Sequence, residues 1–139
     1  FPPFVDGESA YFATLNAGKQ SIALDLKAKA DRAVFERLLA RADVLVENYR
    51  PGVMARLGYG WESLSARYPR LVCAAVSGFG QTGPDAKKPA YDMVVQARGG
   101  VMSITGEAGG PPVRVGASIG DIVAGMFLTQ GVLAALYGR

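Results

Sequence analysis

Between Ser21 and Val76 three short apolar runs are separated by helical patterns, and that alternation restricts the chain more than any other feature. Ser21 to Leu26 puts Ile22, Leu24 and Leu26 on one side, the period of two of a half-buried strand. Asp31 to Ala42 then spaces Val34, Phe35, Leu38, Leu39 and Ala42 along one helix face, with Asp31 in the first turn and Arg37 and Arg41 near the end, as the helix dipole prefers. Val44 to Val46 and Leu71 to Val76 are continuous apolar runs, the pattern of strands buried on both faces of a parallel sheet. Gly52 to Leu57 and Trp61 to Arg67 read as two short helices, with Pro51 at a helix start and Pro69 as a stop. Right-handed β-α-β connection of these pieces gives an α/β fold, a parallel-sheet, Rossmann-like layer with helices on both faces.

The flanks read differently. Residues 1–19 are expected to be irregular, with Tyr11-Phe12 as an aromatic anchor, and Gly78 to Ala90 holds too many glycines and prolines for regular structure. A loop of that length tends to be functional. Tyr91 to Ile104 starts as a helix that Gly99-Gly100 breaks; a second loop spans Gly106 to Pro112, and Val113 to Val115 is extended. Ile122 to Leu136 is expected to be a largely buried helix, because Gly125, Thr129, Gln130 and Gly131 interrupt an apolar stretch shorter than the ~20 residues of a membrane span. With 139 residues the chain makes one α/β domain, and its start at Phe1-Pro2-Pro3 and stop just after an apolar helix suggest a piece of something longer.

Composition removes several chemistries. There is no histidine, so Ser-His-Asp and Cys-His nucleophiles are out, and with a single cysteine no metal site is expected. Cys73, inside an apolar run, reads as inert packing and fits a reducing compartment. The net charge of +3 is scattered rather than gathered in a basic stripe, which argues against nucleic acid and for a small anionic ligand. Catalysis is left to carboxylates, Tyr, Lys, Ser or backbone.

The chain places its special residues where an open parallel sheet binds ligands, just beyond the strands' carboxyl ends. Lys27 follows the first run, Asn48-Tyr49-Arg50-Pro51-Gly52 the second, with Arg56 a turn and a half on, and Gly78-Phe79-Gly80 the third. The glycine spacing matches neither a dinucleotide fingerprint nor a P-loop. In VGASIGDIVAG, 115–125, small residues deliver Asp121 to the start of the most apolar helix. A helix start favours a carboxylate and leaves backbone N–H groups free, which suits a nucleophile. A cap is the commoner role for an acid at a helix start, and Ser118 and Asp121 have capping-box spacing.

The strings GKQSIALDLK (18–27), ADVLVENYRPGVMARLG (42–58), PRLVCAAVSGFGQTGP (69–84), PAYDMVVQARGGVMSITG (89–106) and GPPVRVGASIGD (110–121) resemble, in order and spacing, the CoA-transferases of family III, the formyl-CoA and carnitine CoA-transferase group. The resemblance implies a cytoplasmic enzyme that moves coenzyme A between carboxylic acids, built as an interlocked homodimer, with acyl-CoA as a passing substrate, no permanently bound cofactor and no membrane. It implies that Asp121 attacks the donor acyl-CoA and becomes an acyl-aspartyl mixed anhydride. It assigns Leu24, Asp25, Leu26, Lys27, Asn48, Tyr49, Arg50 and Arg56 to the CoA site, with Lys27, Arg50 and Arg56 toward its phosphates. Tyr91 and Asp92 fall at the pantetheine and acyl end, and Tyr11 near the substrate. The lysine that formyl-CoA transferases carry two positions before the tyrosine is Pro89 here, beside Lys87 and Lys88. The family's first strand, its early CoA-binding loop and its glycine-rich closing loop lie outside this sequence.

Two other readings compete. The racemase branch of the same family shuttles an α-proton between a His and an Asp, but carries Gly-His-Asp where this chain has Ala90-Tyr91-Asp92, and a tyrosine with a pKa near ~10 is a poor base at neutrality. The other is a non-catalytic CoA- or nucleotide-binding module in which Asp121 is only a cap.

Overall fold

The structure, a computed structural model, describes residues 1–139. A small antiparallel hairpin, β1 (Phe4–Val5) and β2 (Glu8–Ser9), leads into α1 (Ala10–Asn16). The expectation of irregular structure over 1–19 is therefore corrected. Ser9 caps α1 by accepting from Phe12 N at 3.1 Å, so the first helix starts on a local side-chain signal.

Next come α2 (Lys29–Leu39), β3 (Val44–Glu47), α3 (Val53–Arg56), α4 (Trp61–Arg67) and β4 (Val72–Ala75). Strands β3 and β4 pair in parallel, Val44 opposite Val72 and Glu47 opposite Ala75. Asn48 Nδ2 donates to Val76 O at 2.6 Å and ties the two carboxyl ends together just beyond the ladder. Beneath one face of this sheet Leu39, Tyr59, Leu64 and Leu71 form the buried core, with Phe35, Leu45, Met54, Leu57, Tyr68 and Cys73 packed against it. Phe35 meets Tyr59 edge-on at 4.9 Å, and the guanidinium of Arg32 lies over the Tyr59 ring at 4.9 Å.

The expected strand Ser21 to Leu26 is not one: residues 21–25 are irregular and a turn begins at Leu26. The sheet is two strands wide, and an alternating segment without a neighbour has no ladder to join. Ile22 is correspondingly exposed, as is Val46 on β3, so β3 is not buried on both faces.

After a loop without helix or strand come α5 (Asp92–Arg98), a 3₁₀ turn (Val101–Ile104) and α6 (Ile119–Gly138). Gly100, at φ 81°, makes the break between α5 and the turn, in the left-handed region that favours glycine. Helix α6 packs against α5 and β4. Its start lies by the carboxyl ends of β3 and β4, and Arg139 at its end bonds Asp43 Oδ1 at 2.6 Å and Arg70 O at 2.7 Å by their amino ends. It thus runs antiparallel to the strands.

The expectation that α6 is largely buried is corrected: none of its residues is buried, and Met126, Phe127, Leu133 and Tyr137 are open. By length and apolar content it also reaches what a membrane crossing requires. An apolar helix needs partners on every side to be covered, and here the main packing is against α5 and β4.

Candidate functional site

Beyond the carboxyl ends of β3 and β4 the surface sinks into a cleft of about 540 Å³ walled by Asn48, Ser77, Tyr91 and Asp121. A second hollow of about 210 Å³ shares Asn48, Ser77, Gly78, Ala90 and Tyr91 with it and extends to Tyr49, Arg50 and Lys88. Together they form one trough with a basic arm at one end and a lone carboxylate at the other. Glycine at 78 makes this closeness possible, since a Cβ there would stand 2.0 Å from Ala90 Cβ.

Asp121 is exposed on the first turn of α6, and its carboxylate accepts no hydrogen bond and joins no ion pair. The capping-box reading fails, because the Ser118 side chain makes no cap bond either. The cap comes from another helix: Asp92 Oδ1 accepts from Gly120 N at 2.9 Å. The first-turn amides of Ile119 and Ile122 bond Ala117 O and Ser118 O, and that of Asp121 alone is left unpaired. One free N–H, rather than a full turn of them, remains at the helix start, on a residue that lines the trough.

Asp92 and Gln96 are the two buried polar side chains of the chain, at 8% and 1% exposure. Gln96 Nε2 donates to Asp92 Oδ2 at 2.7 Å and to Ala117 O at 3.3 Å, and Gln96 Oε1 accepts from Val115 N at 2.8 Å. Asp92, assigned by resemblance to the ligand, therefore has both oxygens engaged within the chain. Its neighbour Tyr91 points outward, 78% exposed, at the trough's edge.

The residues expected to hold the ligand fall into two groups. Asn48, Tyr49, Arg50, Tyr91 and Asp121 line the trough. Leu24 to Lys27 do not: Asp25 Oδ1 accepts from Lys27 N at 2.9 Å, and Asp25 N donates to Asp31 Oδ2 at 2.7 Å, so these residues form the turn entering α2. Arg32 Nη1 bridges Leu26 O at 3.4 Å and Leu57 O at 2.6 Å, which brings this turn to the end of α3, where Arg56 sits. The Arg56 guanidinium lies against Gly52, at the back of the Tyr49–Gly52 turn, where a Cβ on Gly52 would meet Nη1 at 3.3 Å. Tyr11 is on α1, half exposed, edge-on to Phe1 at 5.9 Å.

Two features were not foreseen from sequence. Ser77 Oγ is buried, has no hydrogen-bond partner, and belongs to the wall shared by both halves of the trough. Lys88 reaches the basic arm while its Nζ bonds Asp85 Oδ1 at 2.5 Å; Arg98 also pairs with Asp85. The hydrogen bond from Lys88, helped by Arg98, holds the Asp85 carboxyl below its ordinary value. On the core side of the sheet an apolar cleft of about 320 Å³ is lined by Leu45, Trp61 and Cys73, and burial pushes the Cys73 thiol up, away from reactivity.

A model of CoA-transferase family III matches residues 1–139. The chain is 51% identical to the acetyl-CoA:oxalate CoA-transferase of Acetobacter aceti, over 100% of this chain and 36% of that protein. It is 44% identical to the formyl-CoA:oxalate CoA-transferase of Streptomyces coelicolor, over 96% of this chain and 32% of that one. The crystal structure of a CAIB/BAIF family protein from Brucella suis superposes with a TM-score of 0.90 at 39% identity, covering 97% of this chain and 36% of that one. The chain thus spans about a third of the length of the relatives it matches.

Proposed function

The chain belongs to CoA-transferase family III, and we propose that in the whole protein it supplies the site where coenzyme A passes from an acyl-CoA donor to a free carboxylic acid, with Asp121 as nucleophile. The observation that carries this reading is the unpartnered Asp121 carboxylate at one end of a trough whose other end is basic. Similarity to transferases named for oxalate, mesaconate and glutarate supports the reaction class, with a small dicarboxylate among the acids exchanged.

The chemistry suits a chain without histidine, because a carboxylate attacking a thioester has no proton to lose. Asp121 adds to the acyl carbon and the CoA thiolate leaves, forming the acyl-aspartyl anhydride. Return of the thiolate to the aspartyl carbonyl frees the donor acid and leaves an aspartyl thioester. The acceptor carboxylate displaces the thiolate from it, and thiolate attack on the acceptor carbonyl of the second anhydride yields the new acyl-CoA and regenerates Asp121. The free Asp121 N–H is a donor for negative charge developing beside the helix start. Arg50 and Lys88 offer positive charge to the phosphates, Arg56 stands behind the same turn, and Tyr91 closes on the pantetheine end.

The same reading takes coenzyme A as substrate rather than resident cofactor, and it places the whole protein in the cytoplasm as an interlocked homodimer. The open apolar side of α6 supports its being covered in that assembly. Asp121→Asn in the full-length protein tests the role of the carboxylate. Exchange lost with acyl-CoA binding retained is the expected outcome, and an unchanged exchange rate would remove Asp121 from the chemistry.

A further inference from the structure

We propose that Asp92 and Gln96 are positioning residues, a buried bracket that sets where the Asp121 carboxylate stands relative to Tyr91; the inference rests on the transferase reading. The segment 113–118 belongs to no helix or strand, yet it delivers the helix start that carries Asp121. Two side chains one turn apart on α5 grip it at Val115 N, Ala117 O and Gly120 N. Both oxygens of Asp92 and both polar atoms of Gln96 are used, in a place closed to water. Such a network is costly to distort because a displaced polar group finds no other partner.

The geometry exceeds what a helix cap requires. Ser118 stands at the N-cap position of α6 and does not cap it. The bond comes instead from the residue next to Tyr91, so the two walls of the trough are registered to each other through one carboxylate. The approach is close, since a Cβ at Gly120 would meet Asp92 Oδ1 at 3.2 Å and Val95 Cγ1 at 3.4 Å. A small shift of the bracket moves the nucleophile against the residue opposite it, and misplacement by about 1 Å costs roughly 100-fold in rate.

The polarity of the bracket makes it testable by exchange. Asp92→Asn sets an amide N–H₂ against that of Gln96, and Gln96→Glu sets two carboxylates together. In the double variant, the amide introduced at position 92 keeps an acceptor for Gly120 N and donates to the carboxylate introduced at position 96, whose other oxygen accepts from Val115 N. The bond to Ala117 O is lost, and a carboxylate oxygen takes the donor's place against that carbonyl. In the full-length protein each single variant is expected to lower kcat for acyl exchange about 10- to 100-fold with KM for acyl-CoA within about three-fold, and the double variant to recover to within about five-fold of the parent. Hydrogen exchange at the Val115 and Gly120 amides, a readout independent of turnover, should rise in the single variants and fall back in the double. Faster amide exchange with kcat unchanged would make the bracket merely structural, and a double variant that is unfolded or no better than the single ones would overturn it. Absence of exchange in the parent itself would instead overturn the transferase reading.

Discussion

Placing a methyl group on Gly78 should damage the trough more than the fold. The new Cβ would stand 2.0 Å from Ala90 Cβ and 3.3 Å from Ala90 Cα. Non-bonded carbons settle at roughly 3.5–4.0 Å, so the strand-end loop at 77–79 and the segment at 89–91 must part by about 1.5–2 Å. Overpacking of that size in a closed core costs about 1–3 kcal/mol, and at the rim of an open cleft the loops can move, so the lower end is expected. The displacement, however, passes directly to Ser77 and Tyr91, which wall both halves of the trough. Gly78→Ala in the full-length protein is therefore expected to cost about 1 kcal/mol in a urea melt and roughly 100-fold in kcat/KM. Ala90→Gly in the same chain removes the 2.0 Å clash, leaves the 3.3 Å contact, and should restore most of the activity. Gly78→Ala alone with parental melting and parental turnover would refute the reasoning.

Titration of two side chains gives further tests. Burial pushes the Tyr59 hydroxyl above its ordinary 10.0, against the pull of Arg32, so its contribution is complete below pH 10 and is lost as pH rises through the folded value. Tyr59→Phe should flatten the alkaline end of the stability profile, and an unchanged alkaline limb would count against this assignment. Asp85 titrates in the opposite sense: held below its ordinary 3.8 by Lys88 and Arg98, it stabilises its loop above about pH 4 and loses that effect as pH falls further. Lys88→Gln or Arg98→Gln should each move the midpoint of its carboxyl titration, followed by NMR, back toward 3.8.

Local rules carried the middle of the chain. Helix α2, the pairing of β3 with β4, the helix at Trp61–Arg67 and the break at Gly99-Gly100 follow from residue period and from glycine and proline, all within a few positions. The errors were of another kind. Ser21 to Leu26 has the alternation of a strand and no neighbouring strand to bond. Helix α6 is apolar on all sides, but whether it is covered depends on surfaces elsewhere. Ser118 and Asp121 have the spacing of a capping box, whereas the cap arrives from Asp92, 28 positions upstream. Asp92 and Gln96 stand on one helix face by their spacing of four, which sequence shows; that this face grips residues 115–120 is a tertiary fact. The trough is the same kind of fact, assembled from the ends of two strands, a loop and a helix start.

The central claim, that Asp121 carries the acyl group during turnover, is tested most directly by trapping it. A mixed anhydride reacts with hydroxylamine, so the full-length protein mixed with acyl-CoA, quenched with hydroxylamine, digested and mapped by mass spectrometry should carry a hydroxamate on the peptide containing Asp121. Asp121→Ala should abolish both the label and CoA exchange. A hydroxamate found reproducibly on Asp92 or Glu107, with Asp121→Ala still exchanging coenzyme A, would contradict the account.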